Sequence, residues 1–185
     1  DGHDVVAEAD NGADAVQLAR KHNVDLIILD ITMPGLDGLE VINRIRASEV
    51  KSRILVVTSQ SPLFYSQRSM KAGAAGFITK GQDLTELMRA VKVIMDGYTF
   101  FPFLAASSVR NSDTSMSDIE LIQNLSAREL YILQQLARGL SNKKIAEDMI
   151  LSSKTISTYK ARLIEKLNIK SVVYLAEFAK RNDLI

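Results

Sequence analysis

Three short apolar runs, each ending in a polar residue, constrain this chain more than any other feature. They are "DLIILD" at residues 25–30, "RILVVT" at 53–58 and "GFITK" at 76–80. Continuous apolar runs of this length are typical of strands that are covered on both faces in a parallel sheet. Helical patterns lie between them. The alternation therefore predicts an α/β doubly wound parallel sheet flanked by helices.

The segments on either side of these runs extend the pattern. "DVVAEA" at residues 4–9 predicts a further short strand, and the segment after it has apolar residues at helical spacing. Asp83, with Glu86 three residues later, forms a capping-box pattern that opens a helix, and Gly97 closes that helix. The first 103 residues are therefore expected to form one domain.

Composition and charge divide the chain into two parts. Residues 104–124 are rich in Ser, Asn and Asp, as in a linker. Residues 1–124 carry 12 basic and 16 acidic residues (net −4), whereas residues 125–185 carry 11 and 6 (net +5). A basic domain of this kind suits a polyanionic partner.

The composition also excludes several classes of protein. The sequence contains no Cys, so disulfides and thiolate metal sites are ruled out. It shows no apolar run that could span a bilayer and no secretion signal, so we expect no membrane partner and a cytoplasmic location.

Only helices are predicted beyond the linker. Ser126 and Glu129 form a second capping box, and Gly139 follows the helix that they open. Serines then precede three further helical patterns, at residues 141–149, 153–167 and 171–181. Residues 125–185 are therefore expected to form an all-α domain of four helices.

The polar ends of the three apolar runs form a possible reactive set. Asp30, Thr58 and Lys80 each end one strand, and adjacent parallel strands would bring these ends together. A carboxylate can attack a phosphoryl group, a hydroxyl can hydrogen-bond it, and an ammonium can neutralise its charge. Taken alone, each residue also fits a solvated loop position or a helix cap. The ordered triple favours a phosphoacceptor site.

The second and third C-terminal helices have the pattern of a helix-turn-helix. Ile145, Ala146 and Met149 would face inward from the first helix, and Ile156, Leu163 and Leu167 from the second. Small polar or methyl-bearing groups beside cations on the opposite face suit a helix that enters the major groove, although a basic face can also be a plain solvated surface. The residues predicted to face the groove are Lys154, Ser157, Thr158, Ala161 and Arg162, and those predicted to contact phosphates are Lys143, Lys144, Thr155 and Lys160.

The segments "LIILDITMPGLDGLEVI", "VVTSQ" and "GAAGFITK" resemble the flavodoxin-like receiver domain of two-component response regulators. The resemblance implies that a histidine kinase phosphorylates Asp30 and that Thr58 and Lys80 contact the phosphoryl group. It also implies that Asp30 and the backbone carbonyl of Thr32 help to hold Mg²⁺. Phe77 would then be an aromatic switch residue, or else a plain core aromatic.

The chain departs from this family in one respect. The receiver's first strand and first helix, with the acidic pair that ligates Mg²⁺, have no counterpart before "DGHDVVAEADNG". In the sheet order 2-1-3-4-5 that first strand lies between the second and third strands. Asp10 and Asp14 do not replace the acidic pair, because they would lie beyond the second strand and on the following helix. We therefore expect the metal site to be incomplete and this chain to be phosphorylated poorly, or to be part of a longer protein.

Residues 125–185, including "LSARE" and Gly139, resemble the LuxR/FixJ-type DNA-binding domain. The last helix of that family commonly pairs two subunits, so Val173 and Glu177 are predicted to be dimer contacts. The whole chain is identified as similar to FixJ/NarL-type response regulators, and "DGYTFFP" and "KRNDL" are closest to the BvgA/EvgA group. The implied partners are double-stranded DNA, a histidine kinase, a second copy of the chain and RNA polymerase.

The leading hypothesis is a transcription factor, not an enzyme, that is regulated by phosphorylation of Asp30. One alternative is a pseudo-receiver that binds DNA independently of phosphorylation, which the missing acidic pair favours. Another is a phosphatase-like hydrolase with Asp30 as nucleophile. That hydrolase needs a second acid to protonate the leaving group, and Thr32 stands where such an acid could sit.

Overall fold

The computed structural model describes residues 2–33, 36–81, 83–106 and 116–185. The chain divides into two compact units, Asp1–Ser108 and Val109–Ile185, here called the N-terminal and C-terminal units. Each unit matches the fold class predicted for its part of the sequence.

The N-terminal unit is built on a parallel sheet. Its described strands are β1 (Leu26–Leu29), β2 (Arg53–Thr58) and β3 (Gly76–Thr79), in the order β1-β2-β3. Helices connect and flank the strands, so the predicted alternation is confirmed. The helices of this unit are α1 (Gly12–Lys21), α2 (Gly38–Ala47), α3 (Pro62–Ala72), α4 (Leu84–Met95) and the short α5 (Pro102–Ala106).

The central strand β2 carries the core of this unit. Ile54, Leu55 and Val56 are fully buried, as expected for a strand covered on both faces. Leu55 packs in one apolar cluster with Ile78 of β3 and the buried face of α4. The three strands are therefore fixed relative to one another, and so are the residues at their ends.

The strand predicted at residues 4–9 is not formed. The side chains of Val5 and Val6 are 79% and 56% exposed, and β1 pairs only with β2 among the described residues. A strand needs a neighbour that takes up its backbone hydrogen bonds. In the expected sheet order that neighbour is the receiver's first strand, which has no counterpart in this sequence.

A glycine allows α2 to approach the end of β1 closely. A Cβ atom at Gly38 would overlap the Cα of Ile31, and the amide of Gly38 donates a hydrogen bond to the carbonyl of Ile31. Asp37 caps the helix by accepting a hydrogen bond from the amide of Leu39 at 3.0 Å. The loop after Asp30 is thus held against the start of the helix that follows it.

The C-terminal unit is all-helical in its described residues. The four predicted helices are present, within about two residues of their expected ends. They are α7 (Ala127–Ala137), α8 (Asn142–Met149), α9 (Ser153–Lys166) and α10 (Val172–Arg181). The six apolar side chains predicted to face inward from α8 and α9 are all buried.

A further helix lies within the segment predicted as a linker. Residues Met116–Gln123 form α6, and Ile122 of this helix is fully buried. Asp118 of α6 accepts hydrogen bonds at 2.8 and 3.1 Å from Arg181, and another at 3.1 Å from Asn182 beyond the end of α10. Most of the remaining predicted linker, residues 107–115, lies outside the described residues.

The turn of the helix-turn-helix contains a strained residue. Ile150 ends α8 with φ 55° and ψ 48°, in the left-handed region, and is 82% exposed. A β-branched side chain is unfavourable in that region, whereas glycine adopts it freely.

We expect Ile150→Gly to stabilise the protein by about 1 kcal/mol, because it relieves this strain and removes a side chain that packs little. Urea unfolding followed by circular dichroism measures the change. Ile150→Val is the matched control and should give no gain, because it keeps the β-branch. An equal gain from both variants would contradict the prediction.

The predicted capping box of α7 is complete and tied to α9. Ser126 accepts a hydrogen bond from the amide of Glu129, and Glu129 accepts one from the amide of Ser126. Lys166 of α9 pairs with the Glu129 carboxylate at 2.8 Å. Burial by itself raises the pKa of Glu129, but the hydrogen bonds from Lys166 and Ser126 together outweigh it, so this pKa lies below its ordinary value.

This lowered pKa predicts a pH-dependent contribution to stability. Above the ordinary pKa of a glutamate, roughly 4.3, the wild type should be more stable than Glu129→Gln by about 1 kcal/mol. That difference should disappear as the pH falls through the lowered pKa of Glu129, since the folded protein must then take up the proton. Urea unfolding over a pH series tests this, with exposed Glu165→Gln as the charge control. A difference that stays constant with pH would contradict it.

Candidate phosphoacceptor site and nucleic-acid interface

The ends of the three strands bring polar side chains together at one edge of the sheet. Asp30 follows β1, Thr58 ends β2 and Lys80 follows β3. The Lys80 ammonium nitrogen lies 2.6 Å from Asp30 Oδ2, although the two residues are 50 positions apart in the sequence. The parallel register of β1, β2 and β3 causes this convergence.

The surroundings of Asp30 favour its charged form. Burial by itself raises its pKa, but several hydrogen bonds act in the other direction and together outweigh burial. They come from the Lys80 ammonium, the amide of Thr32, at 2.8 Å, and the hydroxyl of Thr58. The pKa of Asp30 therefore lies below its ordinary value, and the carboxylate is available as a nucleophile.

A network of hydroxyl and amide groups lies beside this carboxylate. The Oγ1 atoms of Thr32 and Thr58 are 3.3 Å apart, and Gln60 Nε2 donates to Thr32 Oγ1 at 3.3 Å. Thr58 is fully buried and Gln60 is 8% exposed. In this structure the Thr58 hydroxyl is therefore in contact with Thr32, next to Asp30.

Sequence reasoning did not single out Gln60, and it considered Thr32 only as a backbone carbonyl ligand and as the position where a hydrolase would need an acid. The signal that could have found both side chains is position. Thr32 lies two residues beyond Asp30, and Gln60 lies two residues beyond Thr58, so both are at the same edge of the sheet. Both carry polar groups that can reach the centre of the site.

Phe77 lies inside the sheet core. It is fully buried on β3, opposite Val56 of β2, and its amide donates to the carbonyl of Phe100 at 2.9 Å. This placement suits a core aromatic as well as the inward position of a switch residue, so the switch role stays a prediction.

The ligands available for Mg²⁺ fall short of a complete site. The described residues contain no group of three or more acidic, His or Cys side chains that could hold a metal ion. Asp30 supplies one carboxylate, which already accepts hydrogen bonds from Lys80 and Thr32. Asp10 and Asp14 both bond to the side-chain amide of Asn11, at 2.9 and 2.8 Å, next to the start of α1. Asp30 and the Thr32 carbonyl therefore supply fewer protein ligands than the Mg²⁺ site of a receiver has.

In the C-terminal unit, the predicted DNA-facing side chains of α9 are accessible. Its groove-facing residues are exposed, and the two predicted phosphate contacts on α9 are half-buried. Lys143 and Lys144 on α8 are also exposed. Lys144 pairs with Asp148 at 2.7 Å, and this hydrogen bond raises the pKa of Lys144. The exposed groove-facing residues are Lys154, Ser157, Thr158, Ala161 and Arg162.

A hydrogen bond that the sequence did not predict links the two helices. Asn142 of α8 donates through Nδ2 to Ser157 Oγ at 3.1 Å, and Ser157 Oγ donates to the carbonyl of Ser153 at 3.0 Å. The Ser157 hydroxyl thus holds α9 to α8. Asn142 directly follows Ser141, the N-cap of α8. The sequence offered one signal for this contact, a polar residue at the first position of the helix.

The predicted dimer contacts on α10 are on its outer side. Val173 is 73% exposed and Glu177 is exposed, whereas Leu175 and Ala179 are buried. Tyr174, which sequence reasoning did not select, is 47% exposed between them. These three side chains form an accessible surface, and pairing through it stays a prediction.

Two families match this chain. Residues 1–92 match the response regulator receiver domain, and residues 123–179 match the bacterial regulatory proteins of the luxR family. BvgA of Bordetella pertussis, a virulence-factor transcription regulator, is 48% identical over 184 residues, which is 100% of this chain and 88% of BvgA. EvgA of Escherichia coli, a DNA-binding transcriptional activator, is 34% identical over 181 residues, covering 98% and 87% of the two chains.

A solved structure of the response regulator RcsB from Salmonella typhimurium has the same fold, with a TM-score of 0.72. That likeness covers 96% of this chain and 84% of RcsB at 23% identity.

The chain belongs to the response regulators that join a receiver domain to a LuxR-type helix-turn-helix domain. It is a phosphorylation-regulated transcription factor of this family, homologous to BvgA and EvgA. None of its described helices is long and apolar enough to cross a membrane.

Proposed function

We propose that Asp30 is the phosphoacceptor through which this regulator receives its signal. The observation that carries the proposal is the 2.6 Å contact between the Lys80 ammonium and Asp30 at the edge of the sheet. A histidine kinase would supply the phosphoryl group from a phosphohistidine. An Asp30 oxygen attacks the phosphorus, the nitrogen–phosphorus bond breaks, and Lys80 neutralises part of the added charge.

The Thr58 hydroxyl transmits the change. In the unphosphorylated site it lies 3.3 Å from Thr32 Oγ1. A phosphoryl group on Asp30 brings strong acceptor oxygens and nearly two negative charges, so the Thr58 hydroxyl moves towards it and away from Thr32. Rearrangement of the surrounding surface, with Phe77 as a candidate switch, then alters how the DNA-binding domains pair.

The C-terminal unit binds double-stranded DNA through α9. Two copies, paired through Val173 and Glu177 of α10, bind two half-sites far better than one copy binds one, because the second contact is intramolecular. RNA polymerase is the expected partner on the bound promoter.

Mg²⁺ supplies charge neutralisation at receiver sites, and here Asp30 and the Thr32 carbonyl are the residues assigned to it.

One observation favours a second candidate function. The described residues offer no acidic cluster that could hold a metal ion. A pseudo-receiver that binds DNA irrespective of phosphorylation would fit that lack. DNA affinity measured before and after treatment with acetyl phosphate separates the two, since only the phosphoacceptor hypothesis expects a change.

We expect this chain to incorporate phosphate weakly from acetyl phosphate in the presence of Mg²⁺, and Asp30→Ala to incorporate none. The weak labelling follows from the incomplete set of metal ligands. Phosphate-affinity gels or intact mass measure the product. Asp25→Ala is the matched control, because Asp25 is an exposed aspartate at the other end of β1. Labelling that persists in Asp30→Ala would refute the assignment, and strong labelling of the wild type would show that the metal site is adequate.

Replacing Lys154 and Lys160 with Ala should weaken DNA binding and flatten its dependence on salt. Of the two, Lys160 is the predicted phosphate contact, and the loss of one phosphate contact reduces the steepness of log affinity against log salt by about 0.9. Gel-shift titrations at several salt concentrations measure this slope. Replacing Lys21 and Lys71, two exposed lysines of the N-terminal unit, removes the same charge and should leave the slope unchanged. An unchanged slope in the first variant would exclude α9 as the binding helix.

A further inference from the structure

The outer side of α9 carries a short surface of methyl groups and one hydrogen-bond acceptor, which lies between two cations. Lys154 and Arg162 stand at its ends, and Thr158 and Ala161 lie between them on the same side of the helix, all four of them exposed. What this surface can read depends on which hydrogen-bonding groups it leaves available. The inference that follows rests on the proposed function, binding of DNA through α9.

Ser157, beside this surface, has its hydroxyl committed within the protein. Its proton is donated to the carbonyl of Ser153 at 3.0 Å, and it accepts a hydrogen bond from Asn142 at 3.1 Å. A hydroxyl has one proton and two lone pairs. Ser157 therefore has no proton to give to a base, and its role is to position α9 against α8.

The Thr158 hydroxyl is engaged in a similar way. It donates to the carbonyl of Lys154 at 3.1 Å. Its oxygen can still accept a hydrogen bond, and its γ-methyl group is available for apolar contact. Ala161, one helical turn further, adds a second methyl group. Between the two cations the surface therefore offers two methyl groups and one acceptor, and no hydroxyl proton.

Each base pair shows its own pattern of groups in the major groove. An A·T pair shows two acceptors, the adenine N6 amino donor and the thymine methyl group, whereas a G·C pair shows two acceptors and the cytosine amino donor but no methyl group. We propose that Thr158 and Ala161 read A·T pairs at the centre of each half-site, through thymine methyl groups and an adenine amino group. A G·C pair at these positions is disfavoured, because it offers no methyl group to the methyl groups of Thr158 and Ala161.

The first test identifies the preferred sequence without assuming an operator. The full chain is used to select from a pool of randomised duplex DNA at low salt, and the enriched sequences are aligned. We expect A·T pairs at the centre of each half-site. Enriched half-sites with G·C pairs at the centre would overturn the inference and leave DNA binding intact. A pool with no enriched sequence would instead count against the proposed function itself.

The second test asks whether the methyl groups are read. Each central thymine of the selected duplex is replaced with deoxyuridine, which pairs identically but lacks the methyl group. Loss of one buried methyl contact should weaken binding about fourfold at that position. Thr158→Ser keeps the hydroxyl and removes the methyl group that faces the thymine. In this variant, replacing the thymine that contacts residue 158 with deoxyuridine should no longer weaken binding.

A matched control separates reading from positioning. Ser157→Ala removes the hydroxyl that holds α9 to Asn142. It should lower affinity for all duplexes alike and keep the deoxyuridine effect of the wild type. Thermal melting confirms that both variants are folded. An equal response of the wild type and Thr158→Ser to deoxyuridine, or no response at any central thymine in the wild type, would overturn the inference.

Discussion

The contact between Lys80 and Asp30 is the interaction on which the proposed signalling role of this protein depends. Partial burial works against the charge of a carboxylate, and the ammonium at 2.6 Å, with the amide of Thr32, more than compensates. The contact exists because β1, β2 and β3 are parallel and their ends share one edge of the sheet. A fold that buries three strands thereby holds a carboxylate beside its counter-ion, which is the arrangement that the proposed phosphoacceptor role needs.

Both units also carry, at their proposed functional sites, hydroxyl groups that are already hydrogen-bonded within the protein. In the N-terminal unit, the Oγ1 atoms of Thr58 and Thr32 lie 3.3 Å apart. In the C-terminal unit, Ser157 and Thr158 donate to backbone carbonyls of their own helix. A hydroxyl has a single proton, so its present acceptor decides what else it can recognise. On the proposed mechanism, the Thr58 hydroxyl changes its partner on phosphorylation, whereas the hydroxyls of Ser157 and Thr158 keep theirs and determine which bases fit.

The sequence predicted much of the fold because its strongest signals are local. Apolar runs, capping boxes and the spacing of Ile156 and Leu163 arise within one element, and the structure contains each of these elements. The errors arose where partners are distant. Residues 4–9 have strand character but no neighbouring strand, and α6 is stabilised by burial of Ile122 and by Arg181, which lies 63 residues from Asp118. Gln60 and Asn142 were missed for the same reason, since their partners lie in other segments of the chain.

The edge of β1 has a consequence for how the protein behaves at high concentration. This strand pairs only with β2 among the described residues, and its Ile28 side chain is 55% exposed. Unpaired edges with apolar side chains invite association with the same edge of another molecule. Such association would grow with concentration and would not require DNA. Self-association through this edge would therefore be separate from the predicted pairing through α10.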